Sequence, residues 1–321
     1  MSRSRVVALS GGIGGAKLAL GLYRVLEPGE LMVVANVGDD FEHLGLHVSP
    51  DIDTLMYTLA DLNNRDTGWG RRAETWHFME ALVELGGESW FALGDRDLAT
   101  HVERTRRLRA GESLSAITQD LCERVGIAAR IVPASDAPVR TVVHTAQGDL
   151  EFQHYFVREQ CRPVVQRFSY AGAEQAIAHA DVVTTLAGTS ARPAPIDAVV
   201  ICPSNPFISI DPMLAIPRLR QALVECKAPV IAVSPIIAGE AVKGPTAKMM
   251  EELGLPCTAA AVAAHYEGII DGYVIDRSDA ALAEVLSVPS HTVKTLMHTD
   301  DDRDQLAREV LAFAQTMGHR D

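Results

Sequence analysis

The apolar and polar positions of this chain alternate in the rhythm of strands followed by helices. An apolar run over residues 6–9 stops at a glycine-rich turn, and an amphipathic segment with Leu18 and Leu22 on its apolar side follows. A second apolar run begins at Leu31. This pattern predicts a β-α-β unit over residues 5–36, in which the two strands are parallel. Ligands of such units collect at the carboxyl ends of the strands.

The same rhythm returns at Ala198 and continues through the rest of the chain. Apolar runs there precede segments of helical periodicity, among them PRLRQALVECKA, TAKMMEEL and DRDQLAREVLAFAQTMG. Strands that alternate with helices predict an α/β fold with a Rossmann-like, mostly parallel sheet flanked by helices. We place this core in about 1–60 and 173–321 of a single domain that spans 1–321.

The segment between the two parts of the core, about 61–172, has a different character. Residues 61–130 are mainly helical and polar in pattern, and residues 130–170 alternate like strands around a turn signal at Gly148. We therefore predict an inserted substrate-binding region of helices and a β-hairpin, which could serve as a lid or a dimer arm. Its arginine-rich run RTRRLRAGE is interpreted as a solvated helix face.

Composition narrows the class of protein. The chain has 321 residues, is 47% hydrophobic and carries a net charge of −13, so a nucleic-acid reader, which would show a basic face, is disfavoured. The five cysteines form no C-x-x-C pair, which favours a reduced, cytoplasmic protein over a disulfide or zinc framework. No signal peptide is visible in MSRSR, and no apolar run approaches the roughly 20 residues of a membrane helix.

The glycine turn after the first strand is the first candidate site. It contains Gly11, Gly12, Gly14 and Gly15, and glycines let a backbone approach a phosphate while the following helix N-terminus offers N–H groups. Lys17 stands where G-x-G-x-x-G requires its third glycine, and the turn also lacks the Ser/Thr of a Walker loop. A phosphate site and a turn needed only for tight strand-to-helix packing therefore both stay open.

Four aspartates follow the second predicted strand. Asp39 and Asp40 end the run NVGDD, and Asp51 and Asp53 lie in SPDIDT. Carboxylates at this place could hold a divalent cation beside bound phosphates. Asp51 or Asp53 could also cap a helix that we predict to begin at Leu55. We expect one of the two to cap the helix and another aspartate to take part in chemistry.

A second charged cluster is the run Asp95-Arg96-Asp97 in LGDRDLATH. Three charges between an apolar run and a helix start need solvent, partners or a ligand. The guanidinium of Arg96 offers a planar donor fork to phosphate or to ring carbonyls, and an ion-paired arginine beside a capping aspartate is the alternative. Trp69 and Trp76, next to arginines, could stack on a planar ligand or pack a helix.

Two turns in the second half carry further candidate groups. Ser204 and Asn205 lie in the proline-bounded turn PSNP, directly after a predicted strand, so their polar groups reach the carboxyl edge of the sheet. Lys243 and Lys248 flank a predicted helix start that faces the same edge. Solvated lysines are the alternative for the last two positions.

The order of these motifs is more specific than any one of them. GGIGGAKL, NVGDD, SPDIDT, LGDRDLATH, PSNPFISI and SPIIAGEAVKGPTAKMM together resemble the 2-phospho-L-lactate transferase family (CofD/FbiA-like) of coenzyme F-420 biosynthesis. The resemblance runs from Val6 to about Asp271. It implies a Rossmann-like core with an added substrate-binding part, and a homodimer.

The resemblance also implies a reaction. Members transfer a phosphorylated three-carbon acid, 2-phospholactyl or enolpyruvyl-phosphate, from a guanosine diphosphate diester to the terminal ribityl hydroxyl of the deazaflavin Fo, and GMP leaves. Mg²⁺ is the expected cofactor. The expected partners are Fo and a guanylyl donor linked to lactate, enolpyruvate or glycerate, with no nucleic acid and no membrane.

The resemblance assigns roles to residues of this chain. Asp53 and Arg96 match positions that contact Fo, and Asp51 joins them as a catalytic candidate. Asp39, Asp40 and Asp51 are the candidates for holding the metal or orienting the attacking hydroxyl. The candidates for binding the donor and its diphosphate are Gly11, Gly12, Gly14, Gly15, Lys17, Ser204, Asn205 and Lys243.

Two other classes stay open. A non-catalytic CofD-like regulator that binds nucleotide sugars or dinucleotides would keep the glycine turn but would not need the aspartates together with the Gly-Asp-Arg-Asp run. An NAD-dependent oxidoreductase needs the third glycine that Lys17 displaces. Since the chain has both the aspartates and the charged run, the sequence favours the transferase.

Overall fold

The computed structural model describes residues 5–188 and 196–320. Its strands are β1 (Val6–Ser10), β2 (Leu31–Ala35), β3 (Phe41–His43), β4 (Leu46–Val48), β5 (Arg130–Pro133), β6 (Arg140–Thr145), β7 (Gly148–Glu151), β8 (Val165–Ala171), β9 (Ala198–Ile201), β10 (Val230–Val233), β11 (Ile236–Ile237), β12 (Glu240–Ala241), β13 (Gly272–Asp276) and β14 (Ser290–Val293). Its helices are α1 (Gly12–Val25), α2 (Pro50–Leu59), α3 (His77–Glu84), α4 (Asp95–Arg109), α5 (Leu114–Arg124), α6 (Ala180–Ala187), α7 (Asp211–Leu214), α8 (Pro217–Val224), α9 (Thr246–Glu252), α10 (Ala259–His265) and α11 (Asp300–Met317). Two π-helical turns (His154–Arg158 and Pro206–Ile210) and a 3₁₀ segment (Arg277–Val285) lie between them. Within this described part, no helix has the length and apolar character to span a membrane.

Seven of these strands form one parallel sheet, in the order β5-β2-β1-β9-β10-β13-β14. The chain adds strands outward in both directions from β1, so the strand order reverses between β1 and β9. Every residue of β1, β2, β9 and β10 is buried, as in sheets that helices cover on both faces. The predicted Rossmann-like parallel sheet is confirmed, and the β-α-β unit over residues 5–36 is its centre.

The inserted region differs from the prediction at one boundary. β6, β7 and β8 form a separate three-stranded antiparallel sheet, whose β6–β7 turn precedes Gly148 as expected. β5, which we predicted inside the insertion, is instead the edge strand of the main sheet and pairs with β2. Three of its four residues are buried. Because it is buried rather than alternating, it behaves as a core strand and not as part of a hairpin.

Helix α2 begins at Pro50, five positions before the predicted start at Leu55. Proline is favoured in the first turn of a helix because its φ is already helical and its missing N–H is not needed there. Asp51 and Asp53 therefore lie inside the first turn, and the N-cap position belongs to Ser49. The prediction that one of these aspartates caps the helix is wrong, and both carboxylates make contacts elsewhere.

Helices α1 and α11 lie unusually close together. A Cβ placed on Gly21 of α1 would lie 2.2 Å from the backbone oxygen of Arg303 in α11, so only glycine permits this approach. One turn earlier, the Nζ of Lys17 donates a hydrogen bond to the carbonyl oxygen of Met297 (3.0 Å). A segment 280 residues further along the chain thus covers the first helix of the sheet.

Candidate functional site

A cavity of about 450 Å³ opens where the strand order reverses between β1 and β9, the place where open α/β sheets bind ligands. Its walls come from the segments that follow β1, β2, β9 and β10 and from the insertion. The predicted site residues that line it are Gly11, Gly12, Gly14, Lys17, Asp39, Asp51, Asp53, Ser204, Asn205 and Lys243. Gly15, Asp40 and Arg96 are not part of its lining.

The glycine turn is fixed by side chains from two other segments. The Oγ of Ser204 accepts a hydrogen bond from the Gly11 N–H (3.2 Å) and donates one to the Gly11 carbonyl (2.8 Å). The Gly12 N–H, which we expected to face a diphosphate, donates to Oδ1 of Asp51 (2.5 Å). A Cβ on Gly15 would lie 2.5 Å from the hydroxyl of Ser204, so Gly15 serves packing. The turn is therefore rigid before any ligand binds.

Gly14 allows the closest approach between the two halves of this crevice. A Cβ on Gly14 would lie 2.4 Å from the backbone oxygen of Pro203. Since a backbone atom cannot rotate away, Gly14→Ala should force α1 away from the turn after β9 and lower the free energy of unfolding by about 1–3 kcal/mol. The melting temperature and the affinity for the guanylyl donor expected from the sequence should both decrease. An unchanged melting temperature with unchanged donor affinity would contradict this packing argument.

Asp51 links the two walls of the crevice. Its carboxylate accepts hydrogen bonds from the Gly12 N–H and from the side-chain amide of Asn36 (2.9 Å), and it is buried. Burial raises the pKa of Asp51 to about 6, although both hydrogen bonds act in the opposite direction. The carboxyl group of Asp51 can thus gain or lose its proton near pH 6.

Asp39 is the least satisfied carboxylate of the site. Oδ2 accepts a long hydrogen bond from the amide of Gln153 (3.5 Å), and the buried Oδ1 has no hydrogen-bond partner within 5–188 and 196–320. Burial, with the charges of Asp51 and Asp40, raises the pKa of Asp39 well above its ordinary value. A pair of buried carboxylates with an unused oxygen fits a hard divalent cation, which prefers oxygen ligands.

Asp40 faces away from the cavity. Its Oδ2 accepts a hydrogen bond from the hydroxyl of Ser49 (3.0 Å) and lies 3.2 Å from Nε2 of His47. These partners hold Oδ2 of Asp40 beside β4 and the start of α2, and its Oδ1 has no hydrogen-bond partner among the described residues. Asp40 therefore contributes its charge to the site rather than a ligand atom that lines it.

Asp53 has a partner that the sequence analysis missed. Both Nη atoms of Arg104 donate to the two carboxylate oxygens of Asp53, in a two-pronged pair. The Arg104 side chain is fully buried, although its run RTRRLRAGE was predicted to be a solvated helix face. That prediction is wrong at this position, because Arg104 lies on the side of α4 whose side chains reach Asp53 and Tyr57 of α2.

Asp97 and His101 extend this network along α4. The hydroxyl of Tyr57 donates to Oδ1 of Asp97 (2.7 Å), and Oδ2 of Asp97 lies 3.4 Å from Nε2 of His101. Ligand atoms of Asp53, Asp97 and His101 lie within 4.8 Å of one another, so this group could also hold a cation. The positive charge of Arg104 already pairs with Asp53, whereas Asp39 has an unpartnered oxygen, so Asp39 and Asp51 are the better candidates for holding a divalent cation.

Cations line the same cavity as these carboxylates. Lys17 and Lys243 both line it, and burial lowers the pKa of Lys17, with the charges of Arg303 and Lys243 acting in the same direction. Lys248, the other predicted cation, donates instead to the hydroxyl of Tyr155 (3.3 Å) and pairs with Glu252. Arg96 is exposed at the start of α4, one residue before Asp97.

Large apolar rings form much of the remaining wall. Trp69, Trp90, Phe91, Phe152 and Phe156 line the cavity, whereas Trp76 does not. Trp69 is 48% exposed, so a planar molecule in the cavity would cover ring surface that is otherwise in water. A flat heteroaromatic ring suits this wall, and the stacking interpretation of Trp69 becomes the stronger one.

Known proteins resemble this chain in sequence and in fold. The family model described as 2-phospho-L-lactate transferase CofD matches residues 6–315. Phosphoenolpyruvate transferase of Streptomyces avermitilis is 41% identical over 97% of this chain and 98% of its own length, and the protein of that name from Mycobacterium leprae is 40% identical over 89% and 92%. A crystal structure of a UPF0052 family member from Bacillus halodurans superposes with a TM-score of 0.61 at 13% identity, over 97% of this chain and 99% of that one.

Proposed function

This chain belongs to the 2-phospho-L-lactate transferase CofD family, and from that membership and the cavity we propose that it transfers a phosphorylated three-carbon acid to Fo in coenzyme F-420 biosynthesis. The donor in this proposal is a guanosine diphosphate diester that carries enolpyruvate or lactate on its distal phosphate. The name shared by the matched relatives, phosphoenolpyruvate transferase, favours the enolpyruvyl donor. We further propose a homodimeric, cytoplasmic enzyme.

The reaction is a substitution at phosphorus. The terminal ribityl hydroxyl of Fo attacks the distal phosphorus, an O–P bond forms, the bond to the GMP oxygen breaks, and the hydroxyl proton passes to an aspartate or to water. Phosphoryl transfer depends on positioning and charge neutralisation more than on a covalent nucleophile. The single observation that carries this proposal is that one cavity is lined both by the carboxylates Asp39, Asp51 and Asp53 and by the cations Lys17 and Lys243.

The cations and the carboxylates of the cavity would serve the two substrates of this reaction, the donor and the acceptor. Lys17 and Lys243 would attract the guanylyl phosphates, and the turn that holds Ser204 and Asn205 would lie beside the nucleoside. Asp53 would orient the hydroxyl of Fo, whose ring would stack among the aromatic side chains of the insertion. For Arg96 we retain the proposed contact with Fo at the margin of the cavity.

A divalent cation would bind to carboxylates of the cavity in this proposal. Asp39 and Asp51 would hold Mg²⁺, and the unpartnered Oδ1 of Asp39 supports this assignment. When bound, the cation would neutralise charge on the diphosphate. The hydrogen bonds from Gly12 and Asn36 keep the Asp51 carboxylate oriented whether or not a cation is bound to it.

Affinity for Mg²⁺ should fall as the pH is lowered through about 6, because a ligand must be deprotonated and the pKa of Asp51 is raised to about 6. In the metal-free protein, a carboxyl group with a raised pKa contributes its full share to stability below its ordinary pKa of 3.8 and loses it as the pH rises through about 6. Acid therefore favours the protonated, metal-free form. Calorimetric titration with Mg²⁺ between about pH 5 and pH 8 measures the change in affinity, and Asp51→Asn should weaken binding throughout this range.

A transfer assay tests the function. Purified protein is mixed with Fo, Mg²⁺ and each of the lactyl, enolpyruvyl and glyceryl guanylyl donors in turn, and GMP release and product mass are followed. We expect a phosphodiester product of the right mass, fastest with the enolpyruvyl donor. Omission of Fo controls for simple hydrolysis of the donor. The absence of product from every donor, together with a melting shift by UDP-sugar or NAD, would instead identify a binding regulator.

A further inference from the structure

Arg104 is the largest fully buried side chain in the described part of the chain, and nothing in the reaction as written so far uses it. Both of its terminal nitrogens are engaged with Asp53, and Nη1 also lies 3.4 Å from Nδ1 of His101. Its Nε has no hydrogen-bond partner among residues 5–188 and 196–320. The guanidinium therefore bonds to a single carboxylate, that of Asp53.

A buried ion pair by itself adds little to the stability of a fold. Removing two charges from water is unfavourable, and apolar residues of similar volume often stabilise a core equally well. The neighbouring arginines of α4 pair with exposed or half-buried carboxylates, because Arg106 pairs with Glu103 and Arg107 pairs with Glu112 and Asp120. Arg104 departs from this pattern, since its partner Asp53 is buried and lines the cavity.

The geometry of the pair leaves Asp53 able to bind a ligand. Each carboxylate oxygen has two lone pairs, and the parallel hydrogen bonds from Arg104 engage one on each oxygen. The planar guanidinium also fixes the plane of the carboxylate, since rotation of Asp53 would break both bonds together. The remaining lone pairs keep a constant direction in the cavity that Asp53 lines.

We propose that Arg104 is a positioning residue, which holds the Asp53 carboxylate in the orientation that accepts the hydrogen of the attacking hydroxyl. This inference rests on the proposed transfer to Fo and goes beyond it, because it assigns a role to a residue that never touches substrate. It also explains why Asp53 lies in the first turn of α2, where the main chain is fixed by the helix. The alternative is that Arg104 only joins α2 to α4.

Arg104→Lys separates the two possibilities. Lysine keeps the positive charge but cannot form two parallel bonds, so the carboxylate regains its freedom to rotate. We expect kcat for transfer to fall about 10- to 100-fold, as positioning errors near the reacting atoms produce, with KM for the donor within about threefold of wild type. Arg106→Lys, two positions further on α4 and exposed, is the matched control and should retain wild-type kcat.

Asp53→Glu provides the second variant. It keeps the charge pair with Arg104 but moves the carboxylate by one methylene, so a positioning role predicts a loss of kcat comparable to that of Arg104→Lys. Wild-type kcat in folded Arg104→Lys, or in Asp53→Glu should Arg104→Lys not fold, would overturn the inference while the proposed function stands. Absence of transfer by the wild type itself would overturn the proposed function and this inference with it.

Discussion

Asp39→Asn is expected to make the metal-free protein more stable and to abolish transfer. Asparagine has the shape of aspartate without its charge, and the pKa of Asp39 is raised by burial and by the charges of Asp51 and Asp40. Removing that charge should stabilise the fold by about 1 kcal/mol, as substitutions at strained functional sites often do. Loss of the proposed metal ligand should lower kcat by at least about 100-fold, the scale of a lost electrostatic contact to the transition state.

The stability gain has a pH dependence of known sign. Because the pKa of Asp39 is raised in the folded protein, its contribution to stability is complete below the ordinary value of 3.8 and is lost as the pH rises. The melting difference between Asp39→Asn and wild type, measured in EDTA, should therefore be largest at neutral pH and vanish towards pH 3.8.

Asp276 is the matched control for Asp39→Asn. This buried carboxylate accepts hydrogen bonds from the N–H groups of Ser278 and Thr295, and they help to lower its pKa. Asp276→Asn should thus destabilise the protein where Asp39→Asn stabilises it. Equal effects of the two substitutions would show that Asp39 is an ordinary structural aspartate.

Asp53→Asn should abolish transfer and also lower the free energy of unfolding, by about 3–5 kcal/mol, because it leaves the Arg104 guanidinium buried without its counter-charge. Loss of activity in this variant therefore has two causes that must be separated. Chemical denaturation gives the stability, and turnover is then compared at equal concentrations of folded protein.

The double variant Asp53→Asn/Arg104→Gln completes this experiment. It replaces the charged pair by two neutral amides that can still bond to each other, so most of the lost stability should return. Transfer should stay absent, because the carboxylate that orients the hydroxyl is still missing. Recovery of turnover along with stability would mean that Asp53 acts only as a partner of Arg104.

The sequence predicts the core of this fold because its signals are local. The apolar strand, the glycine turn and the amphipathic helix over residues 5–36 are each visible within a few positions. The rule that ligands meet at the carboxyl edge of a parallel sheet then brings Asp51 and Ser204 together correctly, although they are far apart in the chain. Both indeed contact the glycine turn.

What the sequence misses depends on contacts between distant segments. Arg104 stands in a run of arginines whose other members are more exposed, and only its partner Asp53, 51 residues earlier, explains its burial. Asp97 and His101 did leave a signal, since residues four apart lie on one face of a helix. The start of α2 at Pro50 was also readable, because proline favours the first turn.

The close contact of α1 with α11 has a consequence for how the protein is made. Ribosomes release a chain from its N-terminus, and early segments often fold before later ones emerge. Here the hydrogen bond from Lys17 to Met297 joins residues 280 positions apart, so this end of the cavity cannot be completed until the segment that contains Met297 has been synthesised. Contacts between such distant residues slow folding, and the cavity would take its final form only late in translation.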